Sequence, residues 1–448
     1  MIFFNRPNDK LNNVYLTLFP QSYNITNVPC GIVAAIVSKR LGLRFSVLIG
    51  ALGHVVGTML RVFFATQPHG WGFFGLLGAQ TLCSMCQPFI VYCTTTMAYN
   101  WFGEKERTLA TSIAAFCNIF GTAVAFAMGF IVTEDGSTLY ISMAVQSGFC
   151  VILAVATILL FSSKPPTPPS RSSQKGTTLS NKESAKAMLT NIYFFLLMIT
   201  YSVGFGVLSA IIACLGQILT PQGYTQTDSS IYGLTIITVG LIGCVVFGTI
   251  ADRTKKFKIC LWVCAIGALL GTSVFCLGMF FQKTVYWFWI ILAAFVILGI
   301  FSVPFVPLSL EIACEITYPV AASIPNTTLG LTGTLAGIVF TFLFPLLQEP
   351  PKPDNSPGSM RIPLIVGLVS FVIALSFLIC FRGTMKRTAA EQAEAEKEEA
   401  AKLFGDSDDN EEKEAAEEGD IPDDKAALLI NPTQPVDLLA ASYGAIDK

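Results

Sequence analysis

The chain of 448 residues is 53% hydrophobic and 13% charged, with a mean hydropathy of +0.61. That balance excludes an ordinary soluble globular protein and predicts a membrane protein. A formal net charge of −2 gives no reason to expect a nucleic-acid partner, and two histidines, His54 and His69, are too few for a histidine metal site or a histidine-based triad.

Apolar windows of about 20 residues, long enough to cross a bilayer as helices, recur at 20–44, 45–65, 71–98, 107–132, 138–162, 189–217, 230–250, 258–281, 285–308, 321–347 and 361–381. They predict an all-α membrane protein of about eleven spans. The first window is the weakest: Asn24, Asn27 and Pro29 interrupt it and leave 25–37 as its usable core. Residues 1–19, with Asn5, Arg6, Asn8, Asp9 and Lys10, are too polar to supply another span. Nor do a basic region and a cleavage site bracket an apolar run there, as they would in a signal peptide.

Lysine and arginine favour the cytosolic loops of membrane proteins, and here they crowd alternate loops. Lys39, Arg40 and Arg44 form one group, Lys105 and Arg107 a second, and Lys164, Arg171, Lys175, Lys182 and Lys186 a third. Arg253, Lys255, Lys256 and Lys258 follow, then Arg382, Lys386 and Arg387. The intervening loops 67–70, 133–138 and 220–230 have none, and 282–284 has only Lys283. The asymmetry predicts a cytosolic C-terminus and, for the chain as written, an outer N-terminus.

Residues 163–188 are rich in Pro, Ser and basic side chains and read as a cytosolic linker between an N-terminal helical bundle, 1–162, and a C-terminal one, 189–387. Residues 388–448 carry 18 acidic and 5 basic side chains, against 12 acidic and 23 basic in 1–387. A disordered acidic cytosolic tail on a basic membrane body is the expectation. Within the tail Asp424 stands four residues before Leu428 and Leu429, and Tyr443 three before Ile446. Both spacings resemble sorting signals read by clathrin adaptors. They point to an endosomal, lysosomal or vacuolar membrane, with the plasma membrane as the alternative.

Two basic turns hold corresponding places in the two halves, VSKRLGLRFSVLIG at 37–50 and FGTIADRTKKFKICLW at 247–262. The second carries G-x-x-x-D-R followed by basic residues, through Gly248, Asp252, Arg253, Lys255 and Lys256, and resembles the helix-joining loop of the major facilitator superfamily. The resemblance implies two helical bundles and a cytosolic gate formed by Asp252, Arg253, Lys256 and Gly248. Gly248 is expected to let two helices approach closely, and Asp252 to cap a helix start or pair with a basic residue. In the first copy the aspartate and glycine positions hold Ser38 and Ala34. If the loops are equivalent, the first helix of a twelve-helix pattern is absent.

Polar side chains inside spans cost free energy unless they face the protein interior or a cavity. Gln80, Gln87, Asn118, Tyr201, Thr332 and Thr334 are of this kind, either as interhelical hydrogen bonds worth about 0.6–2 kcal/mol or as cavity lining. Glu311 and Glu315, at i, i+4, are expected to pair with a basic loop. The 13 cysteines fall in or near apolar spans and are expected to pack as small apolar residues. No catalytic carboxylate pair or activated nucleophile occurs in the spans, so neither an enzyme nor a cofactor is expected.

A narrower resemblance is carried by GAQTLCSMCQPF (78–89), NWFGEKE (100–106), ATSIAAFCNIFGTAVAF (110–126), LLMITYSVGFG (196–206), YGLTIITVGLIGCVVFGTIADRTKKFK (232–258) and PLSLEIACEITYP (307–319). In order along the membrane body, these resemble the feline leukaemia virus subgroup C receptor-related transporters and their relative named disrupted in renal carcinoma. The resemblance implies a twelve-helix carrier of a small organic cation such as choline or ethanolamine, with haem also proposed for members. It places the cation among aromatic rings of the first and seventh helices, with glutamines of the fifth and eleventh. Tyr201 matches the seventh-helix tyrosine; the two glutamine positions hold Ile119 and Thr334, and the first-helix aromatic has no counterpart. Attraction of a quaternary ammonium to ring faces supplies the physical reason. The expected substrate site is therefore Tyr201, Gln87, Asn118 and Thr334 in an alternating-access carrier. The alternatives are a carrier of haem or another metabolite, and a receptor or scaffold that does not transport.

Overall fold

The computed structural model describes residues 10–385 apart from 68, 103, 133–136, 164–187, 189, 255, 319, 321–322, 350–357, 380, 382 and 384. The chain divides into two units, Met1–Arg387 and Thr388–Lys448, and every described helix belongs to the first. Asp424, Leu428, Leu429 and Tyr443 lie outside the described residues, as does nearly all of the 163–188 linker.

The described residues form helices and turns. In order they are α1 Lys10–Leu41, α2 Leu43–Ala65, α3 His69–Cys86, α4 Pro88–Val91, α5 Cys93–Trp101, α6 Glu104–Ala127 and α7 Leu139–Leu160. After the linker come α8 Ile192–Ala213, α9 Leu215–Leu219, α10 Gln226–Thr254, α11 Phe257–Gly278, α12 Val285–Thr317, α13 Ser323–Leu346 and α14 Arg361–Ile379. Among the described residues nine segments are long and apolar enough to cross a membrane. The helices α1 and α6 fall outside that set, although both are long enough, at 32 and 24 residues.

Helix α1 corrects the expectation for the first window. It begins at Lys10 and continues through Pro20 and Pro29. Its polar groups turn back onto the helix: the hydroxyls of Thr17, Ser22 and Thr26 donate to the carbonyls of Val14, Phe19 and Ser22, each at 2.7 Å. The Asn24 amide donates to Gln21 Oε1 at 3.2 Å. Hydropathy scores such residues as an interruption, whereas locally bonded side chains can sit inside a helix. Within the window at 71–98, residues 71–91 form one apolar segment long enough to span, and the helix is marked by single turn residues at Gln87 and Tyr92 into α3, α4 and α5. Pro88 has no N–H to donate and opens α4, the position that proline tolerates best. In the other direction α12 continues nine residues past the predicted end at 308, with Pro304 and Pro307 inside it. Buried Leu308, Ile312, Ala313 and Ile316 hold that extension in the core.

Asn191 starts α8 by accepting the N–H groups of Tyr193 and Phe194 at 3.1 and 3.4 Å, while its Nδ2 donates to the Ile316 carbonyl of α12 at 3.0 Å. From there α8 packs along α13 and α14, and both α10 and α11 pack on α12. Two seams join the chain's halves, α1 against α13 and α6 against α10. At the second seam Ile119, Ala123 and Phe126 join the C-terminal core, and the Phe126 ring occupies the space over Gly233.

The halves are unequal. The two clusters of buried apolar side chains are built from residues 188–381, with Ala123 joining one of them. By order of elements, α6 and α7 correspond to α13 and α14, yet α6 leaves Phe116, Phe120 and Val124 exposed and α7 leaves Phe149, Ile152 and Leu153 exposed. No described helix takes the place beside them that α8 takes beside α13 and α14.

Candidate functional site

The site grows from one helix contact. On α13 the run Gly333-Thr-Leu-Ala-Gly337 lies along residues 201–209 of α8, with Ala336 against Gly206 and Gly337 against Ser209. Small residues at such spacing let helix backbones come close within a membrane. Gly333 has a specific role, since a Cβ there would fall 2.8 Å from Tyr201 Cε1 and 3.2 Å from Phe205 Cδ1. The space it leaves is filled by the Tyr201 and Phe205 rings, stacked at 5.8 Å between centroids and 17° between planes.

Tyr201 is buried, 3% exposed. Thr334, next to Gly333, is 9% exposed, and its hydroxyl donates to the Gly330 carbonyl at 2.8 Å. With its proton committed, that oxygen can accept from a ligand. Ser202 adds a buried hydroxyl with no hydrogen-bond partner. Phe205 also borders a cavity lined by Leu208, Thr272, Ser302, Phe305 and Phe371 in the C-terminal half. Tyr201 therefore lies at the contact with Gly333, and Thr334 is the next residue along α13. Gln87 lies elsewhere, in the break between α3 and α4, and Asn118 is exposed on α6, one residue from the seam residue Ile119. Phe205 and Ser202 were missed in the sequence, although Tyr201 and Phe205 stand at the i, i+4 spacing that brings side chains together on a helix.

One expectation about the 248–258 turn is corrected. A Cβ at Gly248 would meet nothing within 4 Å, so close approach is not what this glycine serves. The close contacts lie further along α10, where Gly240 and Gly243 meet the backbone of α12 at Gly299 and Ile300. Asp252 stands in the last turn of α10, and its side chain lies outside the described residues. Arg253, also in that turn, is exposed and suits the negative end of the helix dipole. Lys256 is exposed and precedes α11.

On the opposite side, Lys283 is the lone basic residue of its loop and is matched by a carboxylate. Its Nζ lies 2.5 Å from Asp228 Oδ2, and the same oxygen accepts the Thr225 N–H at 2.8 Å. The Lys283 N–H donates to the Gln222 carbonyl at 2.9 Å, which closes the clamp between the two loops. Tyr224, beneath this pair, has its phenol pushed up to about 12, by burial first and by the Asp228 charge second. Cys83 and Cys86 pack as expected, Cys83 Sγ against Gly57 and Cys86 Sγ against Gly53, whereas Cys117 is exposed.

Long apolar helices in two halves that meet along two seams define a multi-pass membrane protein. The chain belongs to the Major Facilitator Superfamily, which it matches over residues 15–345. Over 412 residues it is 29% identical to solute carrier family 49 member A3 of Xenopus tropicalis, covering 87% of this chain and 82% of the frog protein. Over 354 residues it is 27% identical to the human choline/ethanolamine transporter FLVCR2, covering 74% of this chain and 66% of that one. The fold is similar to that of the xylose transporter XylE from E. coli in a partially occluded inward open conformation, with a TM-score of 0.63 at 14% identity over 86% of this chain and 92% of that one. It is also similar to a bacterial homolog of the human lysosomal transporter Spinster, with a TM-score of 0.59 at 14% identity over 83% and 95%. At that identity the likeness is one of fold. The protein is a carrier related to the solute carrier 49 and FLVCR transporters, a family of transporters and not of enzymes.

Proposed function

We propose that the chain moves a small organic cation of the choline or ethanolamine kind by alternating access between its two helical halves. The observation that carries this is the buried Tyr201–Phe205 pair against Gly333, taken with the relatives described as choline/ethanolamine transporters. An aromatic pair can stabilise an ammonium without a counter-charge, and Thr334 and Ser202 offer oxygens to an N–H or O–H of the same solute. Because Tyr201 is 3% exposed, transport requires a state in which the contacts around it part.

In this reading α1 to α7 with α3–α5 as one span, and α8 to α14 with α9 as a cap, make eleven spans with the N-terminal side outside. The place beside α6 and α7 is that of the first helix of the twelve-helix pattern. Asp252, Arg253 and Lys256 act at the cytosolic gate, Gln87 and Asn118 line the path from the N-terminal half, and the tail motifs direct the carrier to an endosomal, lysosomal or vacuolar membrane. The test is uptake of labelled choline and ethanolamine into proteoliposomes. Tyr201→Ala is expected to raise KM about tenfold, a loss of about 1.4 kcal/mol, and Tyr201→Phe to raise it less. Uptake by wild type no greater than by empty liposomes would reject the substrate; unaltered KM in Tyr201→Ala would reject the site.

A further inference from the structure

Arg61 lies in the last two turns of α2, within a membrane-spanning segment. Its side of the helix is set by packing. Gly50, Gly53 and Gly57 form the stripe of α2 that faces α3 and α4, with Cys86 and Cys83 against Gly53 and Gly57, and Arg61 is the next position on that stripe. Side chains on a helix lean toward its N-terminus, which carries the guanidinium back toward the level of Gly57. There its charge meets the Cys83 thiol of α3 and the Tyr23 phenol of α1. Gln80, one turn from Cys83, donates Nε2 to the Phe19 carbonyl of α1 at 3.5 Å, while its Oε1 is buried with no partner.

Among the described residues no carboxylate answers this charge. Helices α1, α2, α3 and α7 contain no Asp or Glu, and Arg61 forms no salt bridge among the described residues. An arginine near a helix end can extend outward to the membrane surface. Here that would carry it toward Ala65, away from Cys83 and Tyr23. A guanidinium held inside a helical body marks a functional site when no carboxylate answers it, and its fork of N–H groups suits a carboxylate or phosphate. The orphaned Gln80 oxygen asks for something further, an N–H or O–H donor.

We infer that Arg61 and Gln80 form a binding subsite between α1, α2 and α3 for a small oxyanion that carries a neighbouring N–H or O–H donor. An amino-carboxylate solute has this chemistry, and so does the headgroup of an amine-bearing phospholipid. Arg61 holds the oxyanion and Gln80 Oε1 accepts from the donor. The subsite lies on helices other than those of the Tyr201 pair and does not depend on what that pair binds.

The experiment uses the full chain in nanodiscs of phosphatidylcholine and reads the melting temperature during titration with glycine, acetate or tetramethylammonium chloride. A parallel set of nanodiscs contains phosphatidylethanolamine and no added solute. A saturable rise with glycine, at about one tenth of the acetate concentration and absent with tetramethylammonium chloride, supports a solute site. A rise confined to the phosphatidylethanolamine discs supports the same site occupied by a headgroup. In either case Arg61→Gln is expected to abolish the rise and Gln80→Leu to remove the preference for the amine-bearing ligand. No rise in wild type, or an equal rise in Arg61→Gln, overturns the inference. If Arg61→Gln does not fold, Gln80→Leu decides, and an unchanged preference for glycine over acetate overturns it.

Discussion

Gly333→Ala tests whether the close approach of α13 positions the aromatic pair. The new methyl would lie 2.8 Å from Tyr201 Cε1 and 3.2 Å from Phe205 Cδ1, against about 3.5–4.0 Å for carbons in relaxed contact. Relief requires the rings to retreat by roughly 0.5–1 Å, and overpacking of this kind costs about 1–3 kcal/mol. Alanine returns about 1 kcal/mol through its better helix propensity, so the net destabilisation is about 0–2 kcal/mol. If the displaced ring is a platform for an ammonium, losing about 1 kcal/mol of that attraction raises KM roughly fivefold. Gly330→Ala, one turn away, is the control, because a Cβ there meets nothing within 4 Å. The assay pairs the KM for choline and ethanolamine uptake with a melting curve for each variant. An unchanged KM in Gly333→Ala beside a lowered melting temperature, or equal KM changes in both variants, would refute the positioning argument.

Lys283→Met removes the ammonium from Asp228, whose contact with the Thr225 N–H remains. With the Lys283 side chain a third exposed, the loss is about 1 kcal/mol or less and shrinks further at high salt, as melting curves at two ionic strengths would show. Asp252→Asn is expected to change the transport rate severalfold while leaving KM within about twofold, since a gate acts on conformational populations and not on the solute; identical accessibility of gate residues in wild type and variant would count against this. Changing Leu428, Leu429 and Tyr443 together to Ala is expected to move a tagged protein from an internal membrane to the cell surface, and an unmoved variant would remove the tail from sorting.

Much of the helical order was legible because apolar runs of bilayer length leave few other readings. The N-terminal part of α1 was not, since Thr17, Ser22 and Thr26 satisfy themselves on their own helix and hydropathy has no entry for that bond. The window at 71–98 ran straight through Pro88, which opens α4, whereas α12 continues through Pro304 and Pro307 because packing holds it. At the site, Tyr201 was singled out through resemblance, while its partner Phe205 was missed although its i, i+4 spacing was a signal. The Gly333–Gly337 contact required knowing which helix lies opposite, information that one strand of sequence does not contain. Gly248 shows the reverse error, in which a motif residue was assigned a packing role that its empty surroundings do not support.

The helices α8–α14 carry their cohesion within the polypeptide, through two clusters of buried apolar side chains. Their dispersion contacts are made between side chains and so persist when the surrounding lipid is exchanged for detergent. On solubilisation these helices are expected to be the last to lose protection from hydrogen exchange.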